Sequence, residues 1–512
     1  MTVFIHTELY NRNDDAFIVR GNTFEAFGST EEMLARALPE EEIIDLKGHY
    51  VVPGFVDSHM HLLEFGKYLS EEQLSGFADT GEITAYLKKR ISAYGPGQWM
   101  IGRGYRGDLT KQMLDEISTD IPIVLTRVCG HVLTANSKAL AEAGITEDME
   151  TEGGRVHFDT GVFEENALEL IRSKIPAPDD AQIEAWLHKG AEYCAQHGIT
   201  AVGSDDFISV TKDWHRILKC MENLSWKEEL PVRIQEQCEF PSVKEFAKFL
   251  DEGYTYDVGN DFFRIGPLKL TCDGSLGGRT AALSKPYSDM PETSGYMTMS
   301  DEDIELHIEL ANRFNMPAIC HAIGDETVEH ILDIFDETVL PGNPLGHGLV
   351  HCQIMRPSQI KRVIEKKYTC YIQSQFISSD APVLNARVGA KRAETSYPFK
   401  TLTEGTLTSN GSDAPVEMPD PLYGMRMAVT RTAPDGSAMN PDECMSVAQA
   451  MDTYISNGYK QLAMDDRCGK LEEGYPADFA VIDGNILKTE PEKLDSLSVT
   501  MTVLNGRTVF EK

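Results

Sequence analysis

The strongest constraint on the fold is an alternation in the middle of the chain. Short apolar runs rich in β-branched residues alternate with amphipathic helical runs. GITAVGSDD follows AWLHKGAEYCAQH, MPAICHAIGD precedes ETVEHILDIFDE, and YTCYIQSQF follows PSQIKRVIEKK. Strands and helices that alternate in this way need crossover connections, and crossovers build parallel sheets. An α/β core, barrel or doubly wound, is therefore expected. The two ends read differently. VFIHTELY, AFIVRG, NTFEAFG and EEIIDLKGHYVVPG at the start, with ADFAVIDG and SVTMTVLNGRTVFEK at the end, are short strands punctuated by Gly and Asn-Gly turns. One small sheet domain assembled from both termini is expected beside the core.

Chemistry-bearing residues fall at the ends of the apolar runs. VVPGFVDSHMHLLEFG brings His59 and His61 two apart, and in extended chain such side chains share a face. Two imidazoles on one face at a strand end form a half-site for a divalent ion, although two histidines at this spacing are also common by chance. PAIC ends in His321, HGLV in His351, and TLTSNGS in Asp413. The intervals are 30 and 62 residues, which read as one and then two βα units. Ligands at the C-terminal ends of consecutive and alternate strands mark the functional face of a (β/α)8 barrel. Lys269 sits inside the run RIGPLKLTCDGSLGGRTAAL, which otherwise reads as buried. An unpaired ammonium there is costly, so either a salt bridge to Asp273 or another acid, or a carbamate on the lysine, has to account for it.

Composition limits the partners. Against 47 Lys and Arg stand 81 Asp and Glu, a formal net charge of −34. Such a surface repels phosphate backbones and anionic lipid, so neither nucleic acid nor membrane is an expected partner. No run approaches the 18 or so apolar residues of a membrane span, and the opening lacks a basic stretch followed by an apolar one. The ten cysteines are scattered with no CxxC pair, the distribution of reduced core thiols. A cytoplasmic protein is the expectation.

Nine stretches then identify a family. They are VVPGFVDSHMH, CGHVLTANSKALAEAGI, GVFEENA, GITAVGS, KLTCDGSLGGRTAAL, HAIGD, HGLVHCQ, GSDAPVEMPDPLYGM, and the closing GYPADFAVIDG with TVLNGRTVF. In this order, nearly end to end, the chain resembles the amidohydrolase superfamily, and within it amidohydrolase family 3, the YtcJ-like branch. The resemblance implies a TIM-like (β/α)8 barrel (53–461) with a β-sandwich domain from 1–52 and 462–512. It implies a metal site of His59, His61, Lys269, His321, His351 and Asp413, with Lys269 at the position that is carboxylated in two-metal members. One or two divalent ions follow from it, zinc first and manganese or iron as alternatives. Relatives often carry an acid just before the sixth-strand histidine, where this chain has Leu349-Val350-His351.

Spacing adds an insertion. From His61 to Lys269 is 208 residues, whereas three βα units need about 100. The surplus is placed at about 66–175, an α/β insertion after barrel strand 1. It is expected to act as a lid, with His131 and Asn136 near the pocket; for His131 the alternative is a capped turn. Arg279 is expected to meet a substrate anion or pair with an acid, and Asp325 to cap the following helix. Gly102 to Gly107 match GxGxxG by coincidence, since Cys-Gly-His follows where a dinucleotide site wants an acid. The expected activity is hydrolysis of a C–N bond in an amide, cyclic amide, N-acyl or N-formyl small molecule, with Asp413 as ligand and general base. The alternatives are a mononuclear deaminase-type enzyme, which would not need Lys269, and a catalytically silent binding scaffold. The partner is a small-molecule substrate, and a homo-oligomer is left open.

Overall fold

The computed structural model describes residues 2–149 and 151–512. Eight parallel strands pair in chain order: β1 (Phe55–Met60), β2 (Ile199–Ser204), β3 (Arg233–Cys238), β4 (Phe263–Thr271), β5 (Ala318–Ala322), β6 (Gly348–His351), β7 (Thr369–Ile372) and β8 (Thr408–Asn410). The β8 segment returns to β1. The Asp413 N–H donates to the His59 carbonyl and the His61 N–H to the Ala414 carbonyl, both at 2.8 Å. Gly411 permits this seam, because a Cβ there would stand 2.6 Å from the His59 nitrogen. Asp57, buried behind it, accepts from the Ser412 N–H at 3.0 Å. The result is the expected (β/α)8 barrel. The interval of 52 from Lys269 to His321 holds a long excursion before the helix Asp301–Arg313, and the interval of 62 from His351 to Asp413 accommodates β7.

A sheet of four strands, Thr23–Gly28, Ala16–Arg20, Thr2–Ile5 and Glu42–Asp45, is joined by a sheet of five. The five are Glu8–Leu9, Tyr50–Pro53, Phe479–Ile482, Val499–Leu504 and Arg507–Glu511, so both termini contribute. Alternate residues of these strands face inward, where Phe4, Phe17, Phe24, Val51, Phe479 and Val503 share one core. Phe17 meets Phe4 at 4.8 Å and Phe479 edge-on at 5.3 Å between ring centroids, favourable aromatic geometries. Leu462, Met464 and Cys468 pack instead with Val56 and Ala201 of the barrel, and the C-terminal sandwich strands begin at Phe479.

Gly66–Gln182 forms a compact unit of its own. Its six-stranded sheet runs Gly154–His157, Val162–Glu165, Val132–Ala135, Ile123–Arg127, Met100–Tyr105, Glu72–Gln73. Separate apolar cores, around Leu133, Phe163 and Ile171 and around Leu87, Leu114 and Leu125, lie on it. Among the described residues no helix is long and apolar enough to cross a membrane.

One buried histidine at the opposite end of the barrel from the strand C-termini gives a pH prediction. His347, immediately before β6, accepts the Ala318 N–H at Nδ1 (3.1 Å), and burial pushes its pKa down to about 4. Above pH ~6.5 the ring is neutral in both folded and unfolded chains and no stability is lost. As pH falls from about 6.5 to 4 the unfolded chain takes up a proton that the folded ring refuses, which removes roughly 3 kcal/mol. His347→Asn keeps an acceptor that does not titrate. Its stability should fall less over that window, and urea unfolding at both pH values checks this. Identical pH dependence in the variant would refute the assignment.

Candidate metal centre

His59 lies on β1 and His61 just past its end, so the strand's alternation sends both imidazoles to the same side, with ring centroids 5.6 Å apart. Each ring is anchored through Nδ1. His59 Nδ1 donates to Gln237 Oε1 on β3 at 2.5 Å, and His61 Nδ1 donates to the Asp205 carbonyl at 2.7 Å. The anchors leave both Nε2 atoms facing Asp413 Oδ1, at 3.5 Å from His59 and 3.2 Å from His61. Asp413, three residues beyond β8, and His351, the last residue of β6, hold left-handed backbones (φ 57° and 80°). Such conformations are uncommon for residues with a side chain and cluster at functional sites.

Two further imidazoles continue the cluster. His351 Nδ1 donates to Gln373 Oε1 at 2.8 Å, and its Nε2 lies 2.9 Å from His321 Nδ1. The His59 and His351 ring centroids are 5.9 Å apart. His321 Nε2 faces the Gly274 carbonyl at 3.1 Å and Asp273 Oδ1 at 3.2 Å. Lys269, wholly enclosed on β4, pairs with Asp205 Oδ2 at 3.3 Å. Of the two salt-bridge partners open from sequence, it is the other acid that pairs. Asp273 instead accepts from the Ile323 and Gly324 N–H groups and the Thr327 hydroxyl.

Electrostatics divides the ligands. Burial pushes His59 down to about 3, helped by the Lys269 charge, and holds His351 well below the usual histidine range. Both are neutral lone-pair donors at physiological pH. Burial also opposes the charge on His61, but its hydrogen bond to Asp413 and the Asp205 and Asp413 carboxylates prevail and push it up to about 10. Asp413 is held ionised: burial raises it, and His61, His351 and His59 outweigh that. A divalent ion at this cluster would meet one ready carboxylate and one ready imidazole, and would release a proton from the other.

The donor set fits such an ion. One nitrogen each of His59 and His61 and one Asp413 oxygen all lie within 4.8 Å of one another, the mixed N/O set that zinc, manganese and iron accept. Of the six residues expected from sequence, the structure brings these three together most closely. His351 and His321 stand beside them, and Lys269 is tied to Asp205, whose carbonyl holds the His61 ring.

The residues expected from sequence to meet the substrate are placed differently. Asn136 is a correction. It is the N-cap of the helix Ser137–Ala143, fully buried, with Oδ1 accepting from Ile123 and Ala139 and Nδ2 donating to the Ser118 and Ile121 carbonyls. All four hydrogen bonds of its amide are spent inside the insertion, so none remains for a substrate. His131 is exposed in the insertion, and its ring pairs with Glu165 at 3.0 Å. Arg279 takes the acid-paired alternative, its Nε and Nη2 donating to Asp289 at 3.1 and 3.0 Å. Asp325 is the first residue of the helix Asp325–Thr338 rather than its cap, and accepts from the Ser284 N–H and hydroxyl.

Sequence reasoning passed over Gln237, Gln373 and Asp205, which hold the rings of the candidate ligands His59, His351 and His61. A signal existed for two of them. RIQEQC places polar residues in a strand buried at every position, and the acids of GSDD close a strand on the functional face. Gln237→Leu should leave the fold intact and free the His59 ring, with about 10–100-fold weaker metal affinity. Competition against a chelator measures this; unchanged affinity would remove Gln237 from the site.

Comparison with known proteins agrees with this architecture. The model of a family described as the amidohydrolase family matches residues 42–510. YtcJ of Bacillus subtilis strain 168, provisionally named an amidohydrolase, is 31% identical, covering 99% of this chain and 98% of its own. The N-substituted formamide deformylase of Arthrobacter pascens is 22% identical over 97% of this chain and 95% of its own. The solved structure of a metal-dependent hydrolase from Pyrococcus furiosus superposes with a TM-score of 0.79 at 29% identity, over 95% of this chain and all of that one. With the family signature spanning barrel and sandwich alike, the chain belongs to the amidohydrolase family.

Proposed function

We propose that the chain hydrolyses the C–N bond of a small amide, cyclic amide, N-acyl or N-formyl compound, with a divalent ion held by His59, His61 and Asp413. The observation behind this reading is the convergence of two imidazole nitrogens and one carboxylate oxygen at the C-terminal ends of the barrel strands. The N-formyl subclass draws support from the formamide deformylase relative. When bound, the ion lowers the pKa of water from about 15.7 toward 7 and polarises a carbonyl. Zinc suits the donors first, and manganese and iron also do. The chain's own groups do the rest. His59 and His61, fixed from behind by Gln237 and the Asp205 carbonyl, present Nε2. Asp413, already ionised, accepts a proton from the attacking water on a carboxylate oxygen and returns it to the leaving nitrogen, so that the amine departs neutral.

Lys269, His321 and His351 extend the set toward a second ion. The Lys269 ammonium gives up one proton, its freed amine adds to carbon dioxide, and the carbamic acid so formed loses a second proton, so that a buried cation becomes an anionic ligand with two protons released. Asp205, pushed up to about 6 by burial against the pull of Lys269, is placed to take up the first of these protons, and the second leaves to solvent. Elemental analysis of protein prepared with bicarbonate tests this. About two ions per chain, falling to about one in Lys269→Ala, supports the carbamate. About one ion, with metal content and turnover unaffected by that substitution, supports the mononuclear, deaminase-type reading. Turnover of N-formyl, N-acyl and cyclic amide panels that survives exhaustive chelation would overturn metal dependence altogether.

A further inference from the structure

Outside the metal centre, Arg431 is a buried cation that no carboxylate meets at hydrogen-bond distance among the described residues. Arg431 follows the helix Pro421–Thr430 in a left-handed conformation (φ 47°) and is enclosed, with 1% of the residue exposed. Its Nε donates to the Met439 carbonyl at 3.0 Å. Nη1 and Nη2 are shielded from solvent and meet no acceptor among the described residues. The Phe399 ring centroid is 6.0 Å from the guanidinium, at the outer limit of a cation–π contact. The acid in its field, Glu443, is turned to Thr401, whose N–H and hydroxyl both donate to it. Arg233, equally buried, shows the usual solution: Asp478 grips Nε and Nη2, and the Asp261 carbonyl accepts from Nη1. A guanidinium keeps its charge when buried and tolerates burial only when that charge is answered.

We propose that Arg431 holds a small monovalent anion of the chloride class at its Nη1 and Nη2 groups. One negative charge balances one guanidinium, and the N–H groups of Nη1 and Nη2 are the donors. The enclosure of the side chain disfavours phosphate or an organic carboxylate. The anion fastens a segment that supports the functional face. The Asn440 amide donates to the Ala393 and Ser396 carbonyls at 2.9 and 2.6 Å, and the adjoining Tyr397 N–H donates to the Gln353 carbonyl, two residues past His351.

Crystals of the full chain soaked in bromide should show an anomalous peak at hydrogen-bond distance from Nη1 and Nη2. The melting temperature should be higher by on the order of 2 °C or more in sodium chloride than in sodium gluconate at equal ionic strength, and Arg431→Met should abolish that difference. Equal melting in both salts, no bromide peak at Arg431, or a Glu443 carboxylate seated on the guanidinium would each overturn the proposal. Because the bromide experiment uses the unaltered chain, it decides the matter even if the variant does not fold.

Discussion

Asp413→Asn should lower turnover by about 10³-fold at saturating metal, with the barrel intact. The carboxylate has two tasks in the proposed reaction, and the amide can perform neither well. It stands 3.2 Å from His61 Nε2 and 3.5 Å from His59 Nε2, where an ionised oxygen completes the donor set; an amide oxygen is a weaker donor. It also accepts and returns the proton, and an amide has no such capacity near neutral pH. The backbone contribution survives, since the Asp413 N–H to His59 carbonyl bond that closes the barrel does not involve the side chain. The variant should therefore melt close to the parent chain while losing activity and part of its metal affinity. Steady-state kinetics with metal titration separates the two losses. A variant within tenfold of the parent in kcat would move the proton-transfer role away from Asp413.

The difference between what sequence could and could not locate has a physical basis. His59, His61, His321, His351 and Asp413 were legible because each closes an apolar run, and strand ends on one side of a parallel barrel must converge. Their orienting partners were not, because those contacts join strands far apart in sequence. Gln237 on β3 reaches across Gly203 of β2 to His59 on β1. That path is open only because Gly203 lacks a Cβ, which would stand 2.6 Å from the Gln237 amide nitrogen. The polar residues of RIQEQC mark Gln237 as a candidate, but no local pattern announces which ligand it meets. Asn136 shows the opposite error. A polar residue in a distinctive motif invites a substrate role, but a helix N-terminus and the adjoining turn claim every group it has. Arg279 could be left only as two alternatives, because Asp289, ten residues on, becomes its partner through a long excursion whose course the sequence does not indicate.

The second large effect concerns the junction of sandwich and barrel. Asp478, just before the sandwich strand Phe479–Ile482, accepts from Arg233 Nε at 2.7 Å and Nη2 at 3.1 Å, and from the Asn505 N–H at 2.7 Å. Arg233 begins β3, and both side chains are buried. Asp478→Ala leaves the guanidinium enclosed without its counter-charge and should cost about 3–5 kcal/mol, much of the 5–15 kcal/mol that typically separates folded from unfolded states. The cost belongs to the broken pair and not to the lost contact. Arg233→Met together with Asp478→Leu should therefore recover most of the stability, because removing both charges also removes the desolvation penalty they carried. Denaturant unfolding of the two single variants and the double variant forms a complete cycle, with a coupling that makes the double variant more stable than the sum of the singles predicts. Additive losses would mean that the Arg233–Asp478 pair contributes no coupling across the junction of sandwich and barrel. A loss below about 1 kcal/mol for Asp478→Ala would place the pair among exposed ion pairs of little net worth, contrary to its burial.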